Sequence, residues 1–319
     1  MEDTNKLIAR IKELTGWMKV GQPAVFTDTS DWTRIQRGDI MRLDGKDFLI
    51  TGNRYETRFG IEDQPKYWVF SAYDMATGLQ KIIKTVFHED FYVHISIFKI
   101  HCYRSPEKET EVLELVRGDN RFMQGYTSLD DKGNHVRILD FIRGKTLLVM
   151  IHENQKDHER YYHEDLPEIL KNLTGSLEAI ALLHRHNTCH GDIRNDHIII
   201  DRDTGQYRWI DFDLNQHVSD FDVWSIGNII NYTVGKGINS YHNVLKNEKF
   251  PLEVRQSLTA ADASAFYEYR IMNLKKLYPY ISPKLNDILL HFTTSPKSFY
   301  NSIDELLEDY YRMLEEEFS

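Results

Sequence analysis

The sequence predicts an α+β fold of two lobes, a small β-rich lobe followed by a larger and mostly helical one. Residues 67–73 and 79–87 are rich in aromatic and β-branched side chains, which favour strands. A Thr-Gly turn between them predicts that they form a hairpin. Residues 166–186 carry apolar side chains at the three-to-four spacing of an amphipathic helix. This change of pattern, near residue 144, is the reason to expect two lobes.

Further elements are predicted between these two regions. Ser105 and Pro106 suit the cap and the first position of a helix, which we expect to reach Arg117. Two strands over 122–128 and 135–141 follow that helix.

The predicted domain organisation has three segments. An N-terminal extension, to which the sequence assigns no role, covers 1–45. The β-rich lobe is expected over 46–140 and the helical lobe over 141–319.

Composition limits the classes of function. Apolar residues make up 41% and charged residues 28% of the chain, values typical of a soluble globular protein. The formal net charge of −10 argues against general binding of nucleic acid or anionic membranes, because a negative surface repels phosphate groups. The two cysteines indicate a reducing compartment, and neither a signal peptide nor a membrane-spanning run is predicted. We therefore expect a cytoplasmic protein.

Two acids flank a short hairpin predicted over 198–201 and 207–210. Asp192 precedes its first strand and Asp211 follows its second, so the turn brings both carboxylates to one edge. Two such acids suit a divalent cation and a hydroxyl nucleophile, because one accepts the hydroxyl hydrogen bond while the other holds Mg²⁺. The alternative is that both are water-exposed turn acids, which are common at strand ends.

Two motifs at this hairpin carry a family resemblance. Residues 190–197 read HGDIRNDH and resemble the His-x-Asp-x-x-x-x-Asn catalytic loop of kinases. Residues 210–213 read IDFD and resemble the Asp-Phe-Gly metal motif. In this order, with a hairpin between them, the motifs are specific. The chain thus resembles the protein kinase-like superfamily, bacterial Ser/Thr protein kinases included, which implies a bilobal kinase-like fold with ATP and Mg²⁺ as cofactors.

The resemblance continues through the β-rich lobe. Residues 69–84 resemble the second and third kinase strands, which implies that Lys84 grips the α- and β-phosphates. Lys81 is a competitor, but two apolar residues precede Lys84 as in Val-Ala-Ile-Lys. Glu109 is then the helix glutamate that pairs with this lysine, whereas Glu111 and Glu114 fit a solvated face.

The resemblance also supplies a hinge and a supporting helix. Residues 139–144 read LDFIRG and resemble the segment whose backbone holds adenine, here through Asp140 and Ile142. Asp222 begins a DVWSIG segment similar to the buried helix whose acid supports the catalytic loop. The resemblance covers about residues 47–310.

Roles at the catalytic loop follow from the same resemblance. Asp192 would orient the acceptor hydroxyl and accept its proton. Arg194 stands where kinases usually have lysine, and would stabilise charge on the transferring phosphoryl group. Asp211 would bind the Mg²⁺ that bridges the phosphates.

Two residues depart from the family pattern at the metal site. His197 replaces the asparagine that holds a second ion, as in the lipopolysaccharide-core sugar kinases. Imidazole is a poorer partner for Mg²⁺ than an amide oxygen, although its neutral nitrogen can ligate. The alternative is that His197 only hydrogen-bonds Asp192 or the backbone. Asp213 replaces a glycine, which makes the familiar conformational switch doubtful.

Two segments also depart from the pattern. No Gly-x-Gly-x-x-Gly loop is present; Gly52, our candidate for the phosphate loop, and Gly60 flank a bulkier segment. Only ten residues separate Asp211 from Asp222, too few for a peptide-docking segment, as in aminoglycoside- and choline-kinase-like enzymes.

Two functions are therefore open. The first is an active kinase acting on a hydroxyl, either of protein Ser/Thr, which ancestry favours, or of a small molecule such as a sugar or aminoglycoside. The second is a pseudokinase, a nucleotide-binding or scaffolding module without turnover. The retention of Lys84, Asp192 and Asp211 favours the first.

Overall fold

The computed structural model describes residues 2–58, 61–95, 98–216, 218, 221–267, 269–295 and 298–318. Gly60, one of the two glycines singled out above, lies outside the described residues. Thirteen strands are found in the described chain: β1 Val25–Phe26, β2 Ile40–Leu43, β3 Lys46–Arg58, β4 Ile61–Asp74, β5 Gln80–Lys84, β6 Asp90–Ile95, β7 Phe98–Arg104, β8 Gly125–Leu129, β9 His135–Asp140, β10 Gly144–Thr146, β11 Ile198–Asp201, β12 Tyr207–Trp209 and β13 Leu214–Gln216.

The same described residues contain ten α-helices. They are α1 Glu2–Thr15, α2 Pro106–Leu115, α3 Leu147–Glu153, α4 His158–Glu164, α5 Leu166–Arg185, α6 Phe221–Val234, α7 Tyr241–Lys246, α8 Leu252–Ser257, α9 Pro283–Leu290 and α10 Ile303–Glu317. None of these helices is both long and apolar enough to cross a bilayer.

The chain divides into two compact units. Unit 1 contains residues 1–89, 104–119 and 123–142, and unit 2 contains 90–103, 120–122 and 143–319. Each unit is therefore built from separated stretches of sequence.

Unit 1 is organised around a seven-stranded sheet in the order β1-β2-β3-β4-β5-β9-β8. The β1–β2 pair is parallel and the remaining pairs are antiparallel. One face of the sheet is covered by a core of buried apolar side chains that includes Phe48, Phe70, Ile83 and Ile138. These residues alternate along their strands with the side chains of the opposite face, which include Lys84, next to Ile83 on β5.

Helix α1 packs against the face of this sheet opposite to that core. Ile11 is fully buried in a cluster with Ile40, Leu49 and Met75. Arg10 Nε donates a hydrogen bond of 2.8 Å to the carbonyl oxygen of Met75. The N-terminal segment is thus part of unit 1.

Unit 2 is mostly helical. The long helix α5 buries one face, as its apolar spacing predicted, and Tyr310 of α10 donates a hydrogen bond of 2.9 Å to the carbonyl oxygen of Leu170. The small sheet β10-β11-β12 contains the hairpin of β11 and β12, which directly follows the predicted catalytic loop, residues 190–197. Its β11–β12 pair is antiparallel, with Ile198 opposite Trp209.

A second small sheet in unit 2 has the order β13-β7-β6. Strands β6 and β7 form an antiparallel hairpin inserted between the strand of Lys84 and the helix of Glu109. The hairpin contributes Ile100 and Cys102 to a buried cluster with Leu214, Phe221 and Phe266. Strand β13, directly after the 210–213 motif, is therefore held by residues that precede it by more than a hundred positions.

The predicted α+β class, with a β-rich unit and a mostly helical unit, is found in the described residues. The β6–β7 hairpin and the strands β1 and β2 were not predicted from the sequence. The predicted boundaries at 45/46 and 140/141 remain predictions.

Candidate functional site

The strand lysine of unit 1 is held by a buried carboxylate. Lys84, at the end of β5, places its Nζ 2.7 Å from Glu109 Oε1 on α2. The other carboxylate oxygen of Glu109 lies 3.0 Å from Nε of Arg137 on β9. All three side chains are almost inaccessible to water, at 8%, 0% and 2% exposure. One acid therefore compensates two buried cations.

Arg137 was not identified from the sequence as a site residue. It lies in the middle of a strand and donates further hydrogen bonds to the carbonyl oxygens of His135 and Thr85, at 2.7 and 3.1 Å. Nothing in its local sequence distinguishes it from a solvated strand arginine.

The remaining predicted residues of unit 1 lie at the ends of strands or at an irregularity. Asp140 ends β9, and its carboxylate pairs with Nζ of Lys81 at 2.5 Å. Ile142, just beyond, has no backbone hydrogen bond from its N–H to the described residues. Gly52 sits at a bulge in the β3–β4 pairing with φ of 151°, where a side chain would be strained.

The predicted catalytic loop, residues 190–197 in unit 2, is anchored by a fully buried acid. Asp222, in the first turn of α6, accepts hydrogen bonds from the backbone N–H of His190 at 2.8 Å and of Gly191 at 2.9 Å. Nε2 of His184, on α5, lies 3.1 Å from the same carboxylate. Gly191 has φ of 85°, which few other residues adopt, so the loop turns sharply just before Asp192.

Asp222 stays ionised although it is buried. Burial raises its pKa, but the hydrogen bond from His184, the neighbouring imidazole of His190 and the N–H of Gly191 outweigh this effect, so its pKa lies below the ordinary value. No local pattern around His184 indicates that it takes part in this network.

Three predicted residues of unit 2 converge on one point. Asp192, His197 and Asp211 each present one potential ligand atom, and these atoms lie within 4.8 Å of one another. His197 Nε2 is 3.6 Å from Asp211 Oδ2, and its Nδ1 is 3.8 Å from Asp192 Oδ2. His197 and Asp211 are buried, whereas Asp192 is partly accessible.

The hydrogen bonds of His197 fix its tautomer. Its Nδ1 lies 2.7 Å from the backbone carbonyl oxygen of Asp192, and a carbonyl can only accept, so Nδ1 carries the proton. In the neutral ring Nε2 then offers a lone pair towards Asp211. This arrangement combines the two roles considered for His197, since one nitrogen binds the backbone while the other remains suited to a cation.

The backbone around the Asp-Phe-Asp motif differs from the glycine-dependent pattern. The positive φ of this segment, 65°, is at Asp211, and Asp213 does not share it. Aspartate tolerates this left-handed conformation better than most residues, because its short side chain can hydrogen-bond locally. The replacement of glycine at 213 therefore does not strain the backbone of this conformation.

Arg194 is directed to a neighbour in its own loop. Its Nε and one terminal nitrogen lie 2.9 and 2.5 Å from the two carboxylate oxygens of Asp196, a bidentate pair. Asp196 was not singled out from the sequence.

The inserted hairpin reaches the surroundings of Asp192. Burial, with a smaller effect from the charge of Asp192, raises the pKa of the Cys102 thiol on β7 to about 11. The thiol is therefore protonated at neutral pH, and β7 lies close enough to Asp192 to sense its charge.

Comparison with solved structures identifies the class of fold. The kinase domain of PknI from Mycobacterium tuberculosis superposes with a TM-score of 0.52 at 11% sequence identity, covering 85% of this chain and 96% of that domain. The chain therefore has the protein kinase-like fold, and the resemblance found in the sequence is confirmed at this level.

Sequence comparison gives a narrower match. The EKC/KEOPS complex subunit bud32 of Dictyostelium discoideum is 28% identical over 87 residues, which span 27% of this chain and 32% of that protein. The chain thus aligns with about a third of its curated relative. No protein-family profile matches the chain.

Proposed function

We propose that the chain is an ATP- and Mg²⁺-dependent phosphotransferase that moves the γ-phosphoryl group of ATP to a hydroxyl acceptor. The observation that carries the proposal is the cluster of Asp192, His197 and Asp211, on a loop fixed by the buried Asp222. In unit 1, the proposed phosphate ligand Lys84 is likewise held by a buried partner, Glu109.

The donor atoms of the cluster fit the proposed ion. Mg²⁺ is usually bound through one or two carboxylates together with substrate phosphates, and Asp211 would supply the carboxylate, which leaves Asp192 for the acceptor hydroxyl. Nε2 of His197 would be an additional nitrogen ligand. When bound, the ion would neutralise charge on the phosphate oxygens.

The side chains of the loop provide the remaining chemistry. Asp192 accepts a hydrogen bond from the acceptor hydroxyl and takes up its proton as the new oxygen–phosphorus bond forms. The bond between the γ-phosphorus and the bridging oxygen breaks in the same displacement, and ADP leaves. Lys84 binds the α- and β-phosphates, and Glu109 holds its ammonium group in place.

Arg194 is proposed to stabilise the transferring phosphoryl group. Its guanidinium is paired with Asp196, so a phosphate would have to share or replace that carboxylate. Pairing also orients the guanidinium, which lowers the entropy lost when it binds phosphate.

Kinase ancestry favours a protein Ser/Thr hydroxyl as the acceptor, whereas the short connection between Asp211 and Asp222 favours a small molecule such as a sugar. A pseudokinase is the second candidate. It is favoured by the imidazole at position 197, where an amide oxygen would suit Mg²⁺ better.

The test is incubation of the full chain with Mg²⁺ and γ-labelled ATP, alone and with panels of proteins, sugars and aminoglycosides. Asp192→Asn and Asp211→Asn are expected to lower turnover by about 10²–10⁴-fold, because each removes a group that acts at the transferring phosphoryl group. Asp203→Asn is the matched control, since Asp203 is an exposed acid in the β11–β12 turn.

The outcomes separate the candidates. Label on protein serine or threonine, or on a sugar or aminoglycoside, identifies the acceptor class. Thermal stabilisation by nucleotide without label transfer or ATP hydrolysis would overturn the enzyme and favour the pseudokinase.

A further inference from the structure

A cavity in unit 1 is partly built by the N-terminal segment. Its volume is about 430 Å³, within the range of small-molecule sites. Its walls come from strands β3, β4 and β5, from the residue after β9, and from the chain before β2. The lining residues are Thr15, Trp17, Arg37, Thr51, Arg54, Ser71, Ala72, Tyr73, Gln80, Lys81 and Phe141.

The N-terminal wall is fixed in place. Thr15 Oγ1 donates to the carbonyl oxygen of Ile11 at 2.7 Å and accepts from the backbone N–H of Trp17 at 3.2 Å. The guanidinium of Arg37 lies 4.3 Å from the centre of the Trp17 ring. Helix α1, through Ile11, belongs to a buried cluster, so this wall is anchored to the sheet.

The lining combines aromatic rings with cations. Trp17, Tyr73 and Phe141 provide rings, and Arg54 lies 5.9 Å from the centre of the Phe141 ring. Among the residues whose side chains the structure describes, which leave out 56–64, neither Arg37 nor Arg54 has a carboxylate partner. Rings that stack on a planar base beside unpaired guanidinium groups suit a ligand that is both aromatic and anionic, such as a nucleotide.

The cavity lies along the same strand as Lys84, the proposed ligand of the phosphates. Gln80, in the cavity lining, and Lys84 both lie on β5, and residues an even number apart point to the same face of a strand. On β4, Tyr73 pairs with Gln80 and Val69 pairs with Lys84. Four residues of strand span about 13 Å at ~3.3 Å each, a distance that suits the extended form of a nucleoside triphosphate. The phosphates would then lie towards Lys84, and the base and ribose towards the cavity.

We infer that the cavity binds the base and ribose of the nucleotide and that the N-terminal segment supplies two contacts, Trp17 and Arg37. Trp17 contacts the base, and Arg37, whose guanidinium lies over the Trp17 ring, donates to the base or ribose. This inference rests on the proposed function, because it takes ATP as the ligand. It gives the N-terminal extension a role in nucleotide selectivity.

The experiment measures binding of two probes to the full chain by calorimetry in Mg²⁺ buffer. One probe is the non-hydrolysable analogue AMP-PNP, and the other is inorganic tripolyphosphate, which lacks base and ribose. Trp17→Ala and Arg37→Ala are each expected to weaken AMP-PNP binding by about tenfold, as expected for loss of one stacking or cation contact. Their tripolyphosphate affinity should stay within twofold of that of the unaltered chain. Lys84→Met is expected to weaken both probes.

Three controls keep the result interpretable. Arg34→Ala removes an exposed arginine close in sequence that does not line the cavity, and should bind as the unaltered chain does. Trp17→Phe retains a ring and should recover most of the affinity lost in Trp17→Ala. Far-ultraviolet circular dichroism and melting temperature establish that each variant is folded.

Two results would overturn the inference in distinguishable ways. If Lys84→Met weakens AMP-PNP while Trp17→Ala and Arg37→Ala bind it normally, the N-terminal contacts are excluded and the proposed function stands. If the unaltered chain binds neither probe, the proposed function fails and the inference fails with it.

Discussion

Glu109 in unit 1 and Asp222 in unit 2 are both fully buried carboxylates beside proposed catalytic groups, but their charges are compensated differently. Glu109 faces two cationic side chains, Lys84 and Arg137. Asp222 faces two backbone N–H groups and an imidazole. A buried carboxylate is costly unless paired or hydrogen-bonded, and these are the two general solutions.

The difference shows what each acid does for the site. Glu109 fixes the position of a charge, because its partner Lys84 is the proposed phosphate ligand. Asp222 fixes the shape of the backbone, because its partners are the two residues before Asp192. We therefore expect different consequences when each acid is neutralised.

The largest effect is expected for Glu109→Gln, which removes the negative charge that the buried Lys84 and Arg137 share. The free energy of unfolding should fall by about 3–5 kcal/mol, as for other broken buried ion pairs. Lys84→Met is the matched variant and should cost clearly less, because Glu109 keeps Arg137. Urea unfolding followed by circular dichroism measures both. A cost for Lys84→Met equal to that for Glu109→Gln would contradict the role of Glu109 as the shared anion.

A smaller effect, about 2–3 kcal/mol, is expected for Asp222→Asn, because two of its partners are backbone N–H groups that keep part of their hydrogen bonding. Since the pKa of Asp222 is lowered in the folded state, its contribution is present above the ordinary aspartate pKa of about 4 and is lost as the pH falls below that value. The stability difference between the unaltered chain and Asp222→Asn should therefore shrink in acid. If this stability difference did not change with pH, the ionised carboxylate of Asp222 would not be the source of its stabilising effect.

A third group, the half-buried His158 with uncharged hydrogen-bond partners, sharpens the comparison and has the smallest expected effect. His158 in α4 stacks on Tyr278, and its nitrogens contact Tyr280 Oη at 2.8 Å and the carbonyl oxygen of Val234 at 2.9 Å. Burial lowers its pKa to about 4. The unfolded chain takes up a proton near pH 6.5 and the folded chain only near pH 4, so stability falls across that window as the pH is lowered.

The pH dependence of His158 can be isolated by substitution. Between pH 7 and 5 we expect its contribution to fall by about 1–2 kcal/mol. His158→Gln removes the titrating group, and urea unfolding at both pH values should show a smaller loss in this variant. An equal loss in both proteins would mean that other groups carry the acid sensitivity.

The fold was predictable where the determinants are local. Ser105 caps α2 by accepting from the N–H of Lys108, with Pro106 at the first position, as the sequence predicted. Helix α2 ends at Leu115, two residues before the predicted Arg117. The apolar spacing of 166–186 likewise became α5 to within a residue.

The parts that were missed depend on distant partners. Strand β13 pairs with a hairpin more than a hundred residues earlier, and no local pattern records such a pairing. Arg137 resembles a solvated strand residue until Glu109 is placed beside it. The motifs located Asp192, His197 and Asp211, but the orientation of His197 required the backbone carbonyl of Asp192.

The β6–β7 hairpin has a consequence for how the protein is made. Because chains are synthesised from the N-terminus, residues 90–103 leave the ribosome long before their partner strand, Leu214–Gln216. Until then β7 has an unpaired edge, and Ile100 and Cys102 lack the apolar cover of Phe221 and Phe266. Pairing β7 with β13 closes a loop of more than a hundred residues. The entropy lost in closing so long a loop makes this step of folding slow. Nascent chains stalled before residue 214 should therefore depend on chaperones more than those released after it.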